Sequence, residues 1–219
     1  MAKFKNKYRS ESHRYRYWDY SAPAAYFITA VVIERDCIFG RIKNNNIILS
    51  EEGLIIKRYF EELPTWDKNI ILDEYVIMPN HFHCIIIIKD EHFQYSSETI
   101  SERDEWSVTP SIDFIQELYY RGKQQSKKQF SEYKNTTEPT SKQMADFRIR
   151  RRKMIIPKLI GKLKMQISKK INKLNNTPGK KNLQDDFYDS IIRNHKDYVK
   201  IKNYIKNNPA NWSSDRFSI

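Results

Sequence analysis

Residues 81–88 read HFHCIIII, and this run leaves the chain little choice of structure. Four consecutive isoleucines offer none of the polar positions a surface helix needs, and β-branched side chains favour extended backbone. An apolar run of this length fits a central strand in the interior of a sheet. Just upstream, NIILDEYVIMP (69–79) alternates in part and is separated from FHCIIIIK (82–89) only by Asn80 and His81. The two are expected to form a tight antiparallel pair. AYFITAVVI (25–33) has the composition of a third buried strand.

The remaining elements follow from their punctuation. CIFGRIKNNNIILS fits a short hairpin turning at 44–46. SEEGLIIKRYFEELP fits a helix with Ser50 as N-cap, Leu54, Ile55, Tyr59 and Leu63 inward, and Pro64 past its last turn. Ile160, Leu163, Ile167, Ile171 and Leu174 form the apolar stripe of another helix, with Pro157 in its first turn and NNTPG at its end. A last helix begins near His195 after Asn194 as N-cap, turns Tyr198, Ile201 and Ile205 inward, and stops at Pro209. Residues 90–147 are polar apart from the weakly amphipathic SIDFIQELYY, and are expected to be an insertion or mobile lid. One strand, a helix, a strand pair and further helices predict a single α+β domain: a ferredoxin-like antiparallel sheet with helices packed on one face.

The net charge of +12 is concentrated in one place. Residues 148–181 hold thirteen Lys and Arg and no acid, which leaves the rest of the chain nearly neutral. A solvated helix face usually mixes signs, so this segment points to a polyanionic partner. Arg150, Arg151, Arg152, Lys153, Lys158, Lys162 and Lys164 are the candidate phosphate contacts. The first twenty residues form a basic, aromatic arm, in which Tyr15, Tyr17 and Trp18 either stack on unpaired bases or pack on the body. Cys37 and Cys84 form no CxxC pair or disulfide framework, the N-terminus has no apolar signal segment, and no apolar run approaches the ~20 residues of a membrane span. A cytoplasmic protein is expected.

His81 and His83 stand two apart on a strand, so both side chains point to the same side. Neutral imidazoles so placed can converge on a divalent ion, and can equally be plain polar residues at a strand start. Tyr204, with Asn208 one turn further along the last helix, is a candidate hydroxyl nucleophile. Tyr188 and Tyr198 compete with it for that role.

DYSAPAAYFITAVV, LDEYVIMPNHFHCIIII, RRRKMIIPKLIGKLKMQISKKINKLNNTPG and FYDSIIRNHKDYVKIKNYIKNNPANW, in this order, resemble the single-tyrosine HUH transposases, in particular the REP-associated tyrosine transposase branch. The resemblance covers most of the chain, and its sharpest elements are PNHFHCII and the tail IIRN…YIKNNPxxW. It implies a ferredoxin-like fold, a Mg2+ or Mn2+ ion held by His81 and His83 with Asn208 completing the shell, and Tyr204 (195–208 being its helix) as nucleophile on single-stranded DNA. The implied partners are hairpin-forming repeats in the nucleoid, acted on by a monomer or homodimer. Leu183 stands where relatives commonly have Trp, and Ser190 where a His is common. Two rival readings are a catalytically silent nucleic-acid-binding protein derived from a transposase, and a metal-dependent hydrolase that activates water.

Overall fold

The computed structural model describes residues 3–4, 7–8, 15, 17–90, 112–131 and 140–218. In chain order the strands are β1 (Lys3–Phe4), β2 (Lys7–Tyr8), β3 (Ala24–Val31), β4 (Gly40–Lys43), β5 (Asn46–Leu49), β6 (Ile70–Ile77), β7 (His81–Ile88) and β8 (Tyr188–Ile192). The helices are α1 (Glu51–Glu62), α2 (Ile112–Gln129), α3 (Ser141–Arg152), α4 (Ile155–Leu174) and α5 (His195–Asn207). The main sheet is antiparallel, with strand order β6-β7-β3-β8. This is the order of a ferredoxin-like βαββαβ unit, with α1 in the first crossover and α2 to α4 in the second. β7 is paired on both sides and all eight of its residues are buried, as its unbroken apolar run requires.

Because β7 is buried on both faces, the sheet must be covered on both. The structure therefore differs from the expectation of helices on one face. Tyr26, Ile28, Phe82, Cys84 and Ile86 pack with Ile56 and Phe60 of α1 and with Ile160, Leu163 and Ile167 of α4. The alternate residues Ala25, Ile85 and Ile87 pack with Phe114, Ile115 and Leu118 of α2 and with Tyr198 and Ile205 of α5. Within segment 90–147, α2 is thus a structural layer of the domain. Gly122 makes its close approach possible, since a Cβ there would lie 2.2 Å from the Pro23 carbonyl oxygen. Residues 91–111 and 132–139 of that segment lie outside the described residues.

Local signals set the starts of α1 and α5. Ser50 Oγ accepts from Gly53 N and caps α1, and Asn194 Oδ1 accepts from Asp197 N and caps α5. Of the expected apolar residues of α1, Tyr59 and Leu63 are buried together with Ile56 and Phe60, whereas Leu54 is 53% exposed. The contact at Gly53, where a Cβ would meet Phe39 O at 2.1 Å, turns that glycine inward and Leu54 out. The basic segment is broken between α3 and α4, where Ile155 N donates to Ser21 Oγ and Ile156 N to Tyr20 O. In the arm, Trp18 is core: it is 2% exposed and its Nε1 donates to Tyr26 OH. Tyr17 is half-buried between Phe130 and Phe147. Tyr15 remains 50% exposed, beneath the Arg193 guanidinium. Leu183 is buried in the core, which makes it a packing residue. Among the described residues no helix is long and apolar enough to cross a membrane.

Candidate active site

β7 turns its odd-numbered residues toward the α2/α5 face, and its first two are His81 and His83. Their rings are 0% and 1% exposed, with the two Nε2 atoms 3.1 Å apart. Asn80 Nδ2 donates to the carbonyls of Arg35 and Phe217, which orients the amide and leaves its Oδ1 facing His81 Nδ1 at 2.9 Å. An amide oxygen only accepts, so His81 carries its proton on Nδ1 and presents the Nε2 lone pair. His83 Nδ1 lies 2.7 Å from Thr29 Oγ1, a hydroxyl that accepts from one tautomer of the ring and donates to the other. Burial dominates the proton affinity of both rings. It pulls His81 down to about 4, with Asp215 opposing and Arg216 assisting. It pulls His83 well below the ordinary histidine value, helped by His81 and Arg216. Both imidazoles are therefore neutral near pH 7, the form that binds metals.

With Thr29 accepting from His83 Nδ1, both Nε2 lone pairs converge on one point that a cation can share, and the surroundings fit one. The Asp215 carboxylate joins the two rings, with all three ligand atoms within 4.8 Å of one another. Asn208, 1% exposed, donates through Nδ2 to Asp215 Oδ2 at 3.2 Å. Its buried Oδ1 has no hydrogen-bond partner among the described residues. Such an orphan acceptor costs about 1–3 kcal/mol, a penalty that a cation beside it would remove. Two imidazole nitrogens, a carboxylate and an amide oxygen thus form a set able to hold a divalent ion.

Tyr204 comes from α5. Its hydroxyl lies 3.3 Å from His83 Nε2 and 3.2 Å from Asp215 Oδ2, and its ring stands edge-on to His83 and Phe27. The side chain is 40% exposed, open to a cleft of about 220 Å³ lined by Tyr204, Asn208, Asn211, Ser214, Asp215 and Arg216. Burial, and then the Asp215 charge, raise its proton affinity. The phenol is therefore neutral until a cation or a base acts on it. Tyr204 reaches the histidines of its own chain.

The competing tyrosines are placed elsewhere. Tyr198 is buried and donates to Asp73 Oδ2 at 2.7 Å. Tyr188 is 43% exposed on edge strand β8, where its ring lies beside Phe217. Ser190, two residues on, pairs with Phe27 and is exposed.

Asp215 had no signal in the sequence. It arrives because the Trp212–Ser214 turn folds the tail back over the site, where Trp212 and Phe217 lie against His81. The basic candidates are not beside the site: α4 covers the opposite face of the sheet. Arg150, Arg152, Lys153, Lys158 and Lys162 are exposed. Arg151 lies over Phe147 and Lys162 over Trp66. Lys164 differs from the phosphate contact expected of it, since its Nζ donates to the carbonyls of Gln184, Asp185 and Asp186 and ties α4 to the approach to β8.

Fold and site together describe an antiparallel α+β domain with a buried histidine pair and a half-buried aspartate facing one helical tyrosine. No protein family model matches the chain. It is 25% identical over 208 residues to an uncharacterized protein of Haemophilus influenzae, a match covering 95% of this chain and 92% of that one. Among solved structures it is similar to a REP-associated tyrosine transposase bound to a REP hairpin. That likeness covers 92% of this chain and 73% of the other, at 15% identity and a TM-score of 0.45. Similarity at that level carries no argument about chemistry, which rests on the residues themselves.

Proposed function

We propose that this protein is a divalent-metal-dependent endonuclease and strand transferase of single-stranded DNA, working through a 5′-phosphotyrosine on Tyr204. The observation that carries the proposal is the Tyr204 hydroxyl, 3.3 Å from Nε2 of a buried, neutral histidine pair. The motif order that resembles the single-tyrosine HUH transposases supports the same reading and points to Mg2+ or Mn2+, to hairpin-forming DNA and to a place in the nucleoid. His81, His83, Asp215 and Asn208 would hold the ion. When bound, it supplies positive charge against the phosphate and the charge that develops there.

This chain's own groups account for the proton and the bonds. As Tyr204 Oη bonds to phosphorus, its proton passes to Asp215 Oδ2, to which it already donates at 3.2 Å. The bond from phosphorus to the 3′-oxygen breaks, and that oxygen takes the proton back as a 3′-hydroxyl. The phosphodiester energy is kept in the phosphotyrosine, so another 3′-hydroxyl can reverse the step and join a new strand. The exposed Arg150, Arg152, Lys153, Lys158 and Lys162 form a second basic surface across the sheet, for phosphates distant from the reacting one.

The test uses hairpin oligonucleotides labelled at either end. With Mn2+ or Mg2+ the protein should form a covalent adduct that migrates with the 3′ fragment. Tyr204→Phe should bind the oligonucleotide and form no adduct. An adduct with Tyr204→Phe, or equal nicking in chelator, would overturn the reading. Nicking without any adduct would favour activated water.

A further inference from the structure

The proposed reaction brings an anionic strand to a site whose own residues supply little fixed positive charge. Both imidazoles are neutral, Asp215 is an acid, and the lysines of α4 face away. The cleft beside Tyr204 is lined by one cation, Arg216. Its guanidinium lies 4.4 Å from the centroid of the Phe217 ring and 4.8 Å from that of Tyr188. It forms no ion pair with a carboxylate among the described residues. A guanidinium held against aromatic rings keeps its planar fork of N–H donors available, and that fork matches a phosphate. Arg35 extends the row: its guanidinium lies 5.8 Å from the centroid of the same Phe217 ring and donates to the Arg216 carbonyl.

Tyr188 closes the row on the sheet side. In β8 it pairs with Thr29, the residue whose hydroxyl meets His83, so both belong to the histidine face. Its ring is 43% exposed on an edge strand next to a cation, although a large aromatic gains by burial. The ring therefore offers a surface to a flat partner.

We infer that Arg216 binds a backbone phosphate of the single strand beside Tyr204, and that Tyr188 stacks on a neighbouring nucleobase at the β8 edge. This rests on the proposed function and names the residues that bring its substrate to the cleft. Tyr188, a rival nucleophile by sequence, becomes a binding residue, and the tail 212–217 becomes a wall of the substrate path.

Fluorescence anisotropy with a labelled, mixed-sequence single-stranded oligonucleotide tests this, using the full chain carrying Tyr204→Phe to prevent covalent capture. Arg216→Gln should make the slope of log K against log salt shallower by about 0.7, the value for one phosphate contact on a single strand. Arg216→Lys, which keeps the charge, should retain the slope. Tyr188→Ala should weaken binding about 5- to 150-fold at an unchanged slope, and Tyr188→Phe should bind like its parent. With Tyr204 intact, Tyr188→Phe should still form the adduct. If the parent binds but Arg216→Gln leaves the slope unchanged, or Tyr188→Phe is as weak as Tyr188→Ala, this inference fails while the Tyr204 reading stands. A parent that binds no single strand ends both.

Discussion

The position of Tyr204 depends on how α5 is held, and one buried carboxylate does much of the holding. β6 and β7 lose register between Leu72 and Tyr75, and the residues of this bulge are Asp73 and Glu74. The Asp73 side chain is 0% exposed and accepts from Tyr198 OH at 2.7 Å and from Lys202 Nζ at 2.9 Å, both on α5. Lys202, itself 16% exposed, also donates to Tyr198 OH at 3.1 Å. Asp73→Ala would strand a nearly buried ammonium and a buried hydroxyl. Breaking such a pair from one side costs about 3–5 kcal/mol. For a chain of this length each kcal/mol lowers Tm by about 2–4 °C, so the expected loss is about 6–20 °C. Asp73→Asn keeps an acceptor for Lys202 and should lose less. Asp73→Leu combined with Lys202→Met and Tyr198→Phe removes every stranded group and should recover most of the stability. Urea unfolding followed by circular dichroism reads all three variants. A loss below about 1 kcal/mol in Asp73→Ala, or a triple variant no more stable than the single one, would refute the clamp.

Three further outcomes follow from the site and its surroundings. A divalent ion bound to the folded form at 100 times its Kd should stabilise by about 2.7 kcal/mol; this thermal shift should vanish in His83→Gln, and a full shift in that variant would remove the histidine from the ion's shell. In chelator, stability should decline on acidification. An unfolded histidine titrates near 6.5 and folded His81 near about 4, so between these values the unfolded chain binds more protons and stability rises with pH. The contribution is intact above about pH 6.5 and lost as pH falls through about 4, and it should diminish in His81→Gln; an unchanged acid limb would contradict the buried, neutral assignment. Lys164→Met should lower Tm and leave the salt slope of DNA binding unchanged, whereas Lys158→Ala should do the reverse; the opposite pattern would restore Lys164 as a phosphate contact.

The parts legible in the sequence are those governed by neighbours in the chain. Ser50 and Asn194 cap their helices because an N-cap needs only the next three residues. The burial of β7 was legible because an unbroken apolar run has no solvent face to offer. His81 and His83 share a side because a strand has a period of two. What escaped depends on contacts distant in sequence. Asp215 reaches the histidines only through the fold of the tail, and nothing within SSDRF reports that. Lys164 looks like any lysine of a basic stripe until three carbonyls of the loop before β8 close around it. Leu54 turned outward because a carbonyl of Phe39 claims the face of Gly53. The second helical layer was missed because α2 comes from a segment whose polar flanks hid the buried apolar side chains of Phe114, Ile115 and Leu118.

The double pairing of β7 also bears on how the protein can vary. Its even positions are fillers of one interior and its first two odd positions are the reactive groups of the other, so both sets share one reading frame along the strand. Adding or deleting a single residue in the 78–80 connection would deliver Phe82 and Cys84 to the phenol and drive both imidazoles into hydrocarbon. Length in that turn is therefore tied to chemistry.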